Sequence, residues 1–492
     1  MNEGPWLQPG RTCCATARAD RAALLVDSQR YFAVVGEALK HAQRSIWILG
    51  WTFDTRTLMD PGRRGEGRDA IGDLLKAAAD RGVDVRVLVW KTALPVAATL
   101  SFYPQRAVGD FKGSRVKFKL DGRHPFGACH HQKVVVVDEA LGFCGGGDFS
   151  VDRWDTPDHP DKEPRRCLPT GKPHAARHEV MMMLEGAPAR ALANLCRDRW
   201  KRATGEAIAP LEPPWVDCWP ASVTAEFGEV TAGIARTDPF HGAREAEALH
   251  IRAITGAQRT IYLENQYVAG PAIADALAAR LGDPDGPEIV IVTTRHSPSW
   301  FDRATMDRTR DGFVDRLRAA DRHGRFAAYC PLTPGGQTVI VHSKVSVIDD
   351  RLVRAGSANL NNRSAGFDTE CDLAIEAEDE PSRAGVLGFR DRLLSHYMGA
   401  DPAAFGAVAR DQGLKAAIET FDNGPSRRLQ PLDTGRVTPF EVVVSAMSLG
   451  DPVSPDDAWK PWKRRAAMRA QRDRLAAALL EPPTSNSMIS GR

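Results

Sequence analysis

The chain contains the same unit twice, and no other feature restricts its fold as strongly. Arg44-Ser45-Ile46-Trp47-Ile48-Leu49, following a helical pattern, reads as a buried strand. Arg259-Thr260-Ile261-Tyr262-Leu263-Glu264 reads the same way 215 residues later. A helical stretch then leads to a second strand in each copy, at 83–90 (VDVRVLVW) and 288–294 (EIVIVTT). Next come HHQKVVVVDEALGFCGGGDFS, from His130, and VHSKVSVIDDRLVRAGSANLNN, from Val341, whose matching histidines His131 and His342 lie 211 residues apart. Several features at nearly one offset make coincidence a poor explanation. The order helix, strand, helix, strand in each copy predicts an α/β fold of layered halves.

At 492 residues the chain exceeds one small domain. The proline-rich stretch 205–228 (Pro210, Pro213, Pro214, Pro220) is expected to divide it, giving one copy at 25–206 and the other at 228–405. The repeat is spent after about residue 405, so 406–492 is expected to hold a linker and a tail. Within that tail 459–480 reads as a helix, and 460–474 carries seven Lys or Arg against one Asp. Trp459 and Trp462 flank the basic run, which makes contact with anionic lipid the sharper reading and a solvated helix face the plainer one.

The net charge of only +2 argues against a general nucleic-acid coat protein. Nine scattered cysteines without a Cys-x-x-Cys argue against both a disulfide framework and a zinc ribbon, and fit a reducing compartment. The start MNEGPWLQPG lacks the basic-then-apolar pattern of a signal peptide, and no run of 18 apolar residues occurs. A cytoplasmic or peripheral membrane protein is expected, with export independent of a signal left open.

The chemistry sits on matching segments. The first reads His131-x-Lys133, Asp138 five residues on, then Gly145-Gly146-x-Asp148; the second reads His342-x-Lys344, Asp349, then Gly356-Ser357-x-Asn359. Residues i and i+2 of a strand share a face, so each histidine is expected to project with its lysine. Asp138 and Asp349 have the opposite parity and are expected to brace a turn or a neighbouring backbone. The glycines let backbone N–H groups approach an anion closely. Two lysines can neutralise phosphate oxygens, one imidazole can attack phosphorus, and the other can protonate the leaving oxygen. Such a site needs no metal, since Lys133, Lys344, Ser357, Asn359 and the turn amides supply the charge stabilisation. The cluster His124, Cys129, His130 and His131 does not match zinc-ligand spacing, so no metal is expected there.

These paired motifs resemble the phospholipase D superfamily of HKD phosphodiesterases, over roughly residues 25–400. Further segments are similar to its eukaryotic-like branch: His130 before the first motif, Arg153-Trp154-Asp155 followed by His159, Arg177-His178-Glu179-Val180, and Ile261-Tyr262-Leu263-Glu264-Asn265-Gln266-Tyr267. The resemblance implies a pseudo-two-fold, bilobal α/β fold in a short form without N-terminal lipid-binding modules. It implies a phosphohistidine on His131, acid catalysis by His342, and one carboxylate orienting each histidine, with Glu179 and Glu370 at the corresponding positions. The implied catalytic set is His131, Lys133, Asp138, Glu179, His342, Lys344, Asp349 and Glu370; Asp148, Ser357 and Asn359 are implied to bind substrate. Two departures stand out: Gly146 where many members have Ser, and Asp148 where many have Asn. Both read as branch markers, and Asp148 is expected to take backbone N–H groups rather than face a phosphate.

The implied reaction is hydrolysis of a glycerophospholipid to phosphatidic acid and a free head group, with transphosphatidylation when an alcohol replaces water. The partners are then a phospholipid at a membrane surface and water or an alcohol, with no cofactor and no nucleic acid. The alternatives are phosphatidyl transfer as in cardiolipin synthases, cleavage of nucleic-acid phosphodiesters, and a non-catalytic phospholipid-binding scaffold. The Met181-Met182-Met183 run reads as core, and Trp51 as a core aromatic able to line the cleft.

Overall fold

A computed structural model of the chain describes residues 4–63, 69–92, 104–215, 217–297, 299, 302–424, 427–434 and 450–453. The basic segment 460–474 and the helix expected at 459–480 lie outside the described residues. Among those described, no helix is long and apolar enough to cross a membrane.

Among the described residues one 16-stranded sheet runs through the molecule, fifteen strands in one order and a short one, Ala243–Arg244, paired to Phe227–Asp238 off that path. From one edge its order is Lys117–Asp121, Asp84–Trp90, Ser45–Gly50, Val134–Val137, Leu141–Gly145, Val180–Gly186 and Ala15–Val26. From the middle outward it continues with Phe227–Asp238, Glu370–Glu376, Leu352–Gly356, Lys344–Ile348, Thr260–Asn265, Glu288–Val292, Phe326–Pro331 and a final edge strand, Leu429–Pro431. The two lists mirror each other. Ser45–Gly50 pairs parallel with Asp84–Trp90 and antiparallel with Val134–Val137; Thr260–Asn265 pairs in the same two senses with Glu288–Val292 and Lys344–Ile348. Ala15–Val26 and Phe227–Asp238 join antiparallel at the centre, so the copies are related by a pseudo-two-fold axis and share one continuous sheet.

Strand periodicity sorts the side chains into layers. Ile46 and Ile48 point to one core cluster while Trp47 and Leu49 point to another, and Val135 and Val137 separate from Val134 and Val136 in the same way. Both faces are therefore buried, as the unbroken apolar runs require, and each buried Val or Ile contributes about 1.5–3 kcal/mol. One face carries Asp27–His41 and Ile71–Asp80 over the first copy, and Glu245–Gly256, Pro271–Gly282 and Arg308–Ala320 over the second. The other face carries Ala187–Thr204 and Glu380–Met398. Glu380–Met398 is fixed at its start by a capping box of Asp379 and Ser382, and ended by Gly399 at φ +64°. The Met181-Met182-Met183 run is fully buried in its strand.

Outside the main sheet, Ile340–Val341 pairs parallel with Arg177–His178, and a bridge between His130 and Thr369 is its pseudo-symmetric partner. These two short pairings cross between the copies. They carry the amide of His342 to the carbonyl of His178 and that of His131 to the carbonyl of Thr369, each at 2.9 Å.

Candidate active site

Each motif histidine precedes its strand rather than lying within it. Regular pairing begins at Val134 in the first copy and at Lys344 in the second. Shared orientation therefore comes from a direct bond as well as from strand parity: Lys133 Nζ donates to the His131 carbonyl at 2.9 Å, and Lys344 Nζ to the His342 carbonyl at 2.7 Å. The lysines are buried, at 2% and 0% exposure, while the histidine side chains keep 14% and 8%. The imidazoles are thus the parts a ligand can reach, with fixed cations behind them.

The carboxylates cross between the copies. Nδ1 of His131 lies 3.0 Å from Oε2 of Glu370, and Nδ1 of His342 lies 2.6 Å from Oε1 of Glu179, off the line of an ideal hydrogen bond. Each histidine is thereby oriented by an acid from the other copy, and its Nε2 is left as the working atom. The two sites are one: an added Cβ on Gly146 would lie 2.5 Å from Oε2 of Glu179 and 2.6 Å from the His342 carbonyl. A serine has no room there, which accounts physically for the first departure from the common pattern.

The second copy uses the space differently. Ser357 donates to Oε2 of Glu370 at 2.5 Å, and Ser364 to Oε1 at 2.6 Å. At the repeat offset Ser364 corresponds to Arg153, and Glu179 has the Arg153 and Arg177 guanidinium groups nearby in place of two hydroxyls. Burial raises Glu179 against the pull of Lys344, Arg177 and Arg153, and burial pushes Glu370 up to about 8. Burial and the flanking lysines hold His131 well below its ordinary value; for His342, Arg153 and Arg177 add to that effect. Lys344 is itself lowered to about 7, by burial and then by Lys133 and Arg177, against Glu179 and Glu370.

Three of the expected residues sit elsewhere. Oδ1 and Oδ2 of Asp138 accept the amides of Gln43, Arg44 and Ser45 at 2.7–2.9 Å, and Asp349 takes those of Gln258, Arg259 and Thr260 at 2.7–2.8 Å. Each lies at the far end of its strand, on the order of 20 Å along the chain from its histidine. The structure does not bring either to the cleft. Asp148 receives the Trp51 amide at 2.9 Å and pairs with Lys133 at 3.1 Å, so its charge is spent on those two partners. Asn359 offers its amide N–H to Ser364 at 3.0 Å.

Two neighbours outside the paired motifs touch the site, and Trp51 lines the cleft as its sequence allowed. Trp51 lies edge-on to His131 with ring centroids 6.3 Å apart and within 5.9 Å of Lys133 Nζ; Gln266 accepts from Lys344 Nζ at 3.3 Å. They hold equivalent places in the two copies, each one residue past the end of its strand, and the repeat offset alone could have paired them.

Residues 38–214 match the family model described as Phospholipase D, and 250–384 match Cardiolipin synthase, PLD-like domain. Phospholipase D A of Dictyostelium discoideum is 24% identical over 470 residues, covering 77% of this chain and 36% of its own. Phospholipase D alpha 1 of Nicotiana tabacum is 24% identical over 518 residues, covering 76% and 64%. The chain thus spans between about one third and two thirds of the length of these relatives. Among solved structures, phosphatidylserine synthase of Haemophilus influenzae Rd KW20 superposes with a TM-score of 0.53 at 14% identity, over 83% of this chain and 96% of that one, a likeness of fold.

Proposed function

The chain belongs to the phospholipase D superfamily, and from that premise we propose that it is a phospholipase D acting on glycerophospholipids through a phosphohistidine. The observation that carries the proposal is the pair of His–Lys units sharing one cleft, each histidine held by a carboxylate from the opposite copy.

His131 presents a free Nε2 lone pair once its Nδ1–H points at Glu370, and attacks phosphorus. Lys133 and Lys344 stabilise the charge that develops on the phosphoryl oxygens. His342 and Glu179 hold one mobile proton between them. An anionic phosphodiester beside Nε2 draws it onto the imidazole, from where it passes to the departing head-group oxygen as the P–O bond breaks. Neutral His342 then takes a proton from water, which attacks the phosphohistidine and releases phosphatidic acid and free His131. The Arg153 and Arg177 guanidinium groups near His342 favour its giving up a proton, which supports this division of roles.

The test is incubation with phosphatidylcholine vesicles and a little ethanol, without added metal. Phosphatidic acid together with phosphatidylethanol is expected; neither product, with an intact fold, contradicts the reading. Phosphatidyl transfer between lipids is the second reading, favoured by the match of 250–384. Phosphatidylglycerol alone would then yield diphosphatidylglycerol and glycerol instead of phosphatidic acid.

A pH dependence follows from Lys344. With its value lowered to about 7, the free chain carries this cation below that pH and loses it above. The histidines are lowered well below their ordinary value, and Glu370, at about 8, gains its negative charge late in the same interval and acts in the same direction on anion binding. For bis(p-nitrophenyl) phosphate, whose single charge is constant, KM is expected to rise about tenfold between pH 6 and pH 8 as the lysine charge is lost. A flat KM across that interval contradicts a charged Lys344 as a phosphate ligand.

A further inference from the structure

A second histidine cluster lies behind the cleft and takes no part in the reaction described above. Asp27 opens the helix Asp27–His41, His159 sits in the loop after the first glycine stretch, His178 ends Arg177–His178, and His396 is in the last turn of Glu380–Met398. One potential ligand atom from each lies within 4.8 Å of the others. Three buried atoms here have no hydrogen-bond partner, Oδ2 of Asp27, Nε2 of His159 and Nε2 of His396, while Nδ1 of His178 faces Oδ1 of Asp27 at 2.9 Å. Buried polar atoms are rarely left so, and three converging on one point call for a common partner.

The outward atoms of the same side chains are all engaged. Nδ1 of His159 bonds Oδ2 of Asp155 at 3.0 Å, Nε2 of His178 bonds Oε2 of Glu264 at 3.0 Å, and Nδ1 of His396 bonds the Leu393 carbonyl. Oδ1 of Asp27 accepts the Glu179 amide at 3.1 Å. His159 and His396 thus donate outward to a carboxylate and a carbonyl and turn a lone pair inward, the arrangement that metal-ligating histidines adopt, and His178 joins them by giving up the Nδ1 proton it can share with Asp27. Nδ1 of His178 lies 2.9 Å from Oδ1 of Asp27, and Nε2 of His159 lies 3.7 Å from Oδ2. The second spacing, to the inward oxygen, is close to the ~3.3 Å edge of a tetrahedron with ~2.0 Å metal–ligand bonds.

We propose that Asp27, His159, His178 and His396 bind a divalent transition metal ion of the zinc class in a closed, structural site. Three imidazoles and one carboxylate suit zinc better than magnesium or calcium, and four protein ligands leave no open position for catalysis. The ion ties three residues of the first copy to a helix of the second. It also sits directly behind the cleft, because Asp27 and Glu179 exchange bonds and the His178 carbonyl holds the His342 amide. A metal-free alternative is a protonated His178 bridging Asp27 and Glu264. That bridge leaves Nε2 of both His159 and His396 unpartnered, and the metal satisfies them.

The full chain, expressed with zinc in the medium and gel-filtered, should carry about one zinc per molecule by plasma mass spectrometry, and cobalt in its place should give the intense visible bands of a tetrahedral site. The double variant His159→Ala, His396→Ala should lose the metal. Should that variant fail to fold, chelator-stripped wild type should regain thermal stability on adding zinc. Wild-type chain with less than about 0.1 zinc per molecule, both as purified and after incubation with zinc, overturns the proposal in favour of the protonated bridge.

Discussion

Alanine in place of either His131 or His342 is expected to lower kcat on phosphatidylcholine by on the order of 10⁴-fold while leaving the chain folded. The two imidazoles share one reaction cycle, so removing the second after the first should cost little more; groups that act as a unit are strongly non-additive. Retention of structure follows from position. The side chains lie at the cleft edge and keep 14% and 8% exposure, whereas the backbone amides that hold the two segments stay bonded to Thr369 and His178. Near-UV circular dichroism and the unfolding midpoint should therefore match the parent. A single variant that turns over at the parental rate contradicts the roles assigned here.

Asp138→Ala and Asp349→Ala should show the opposite behaviour, although both residues belong to the same sequence motif. Each carboxylate receives three consecutive amides that lead into a strand of the sheet interior, and each residue sits at φ +53°. Removing it leaves three backbone donors without their acceptor and puts alanine in the left-handed region. The expected loss is about 3–5 kcal/mol, seen as a lower denaturation midpoint. Asparagine keeps one acceptor and tolerates that backbone region, so it should recover part of the loss. Activity per folded molecule should fall less than about tenfold, because neither side chain reaches the cleft. A variant that keeps its stability but loses turnover contradicts the bracing role.

The contrast between those two predictions shows what the sequence could convey. Parity separated the His–Lys pairs from the aspartates, since seven residues of extended chain place Asp138 and Asp349 away from their histidines. The layered sheet was legible as well: runs such as Val134–Val137 are apolar at every position, as a strand covered on both faces must be. The sequence did not reveal which carboxylate serves which histidine. Glu370 is 239 residues from His131, and only the crossing of short pairings at His130–Thr369 and Ile340–Val341 brings them together. Ser364 was hidden for the same reason, since its partner belongs to another element. Gly146 was read as a branch marker, and the cause proved to be steric, the closeness of Glu179 and the His342 carbonyl. The Asp27, His159, His178 and His396 cluster draws on four separate elements with no ligand spacing that a linear reading detects.

A covalent intermediate on His131, resolved by His342, can be trapped with bis(p-nitrophenyl) phosphate and the His342→Ala chain. p-Nitrophenolate departs without needing a proton, so the first step survives the loss of the acid, while the second lacks its base. A burst of about one equivalent of nitrophenolate is expected, with a nitrophenylphosphoryl group on the peptide containing His131 and no burst from His131→Ala. No adduct on His131, or a burst that persists in His131→Ala, would contradict it.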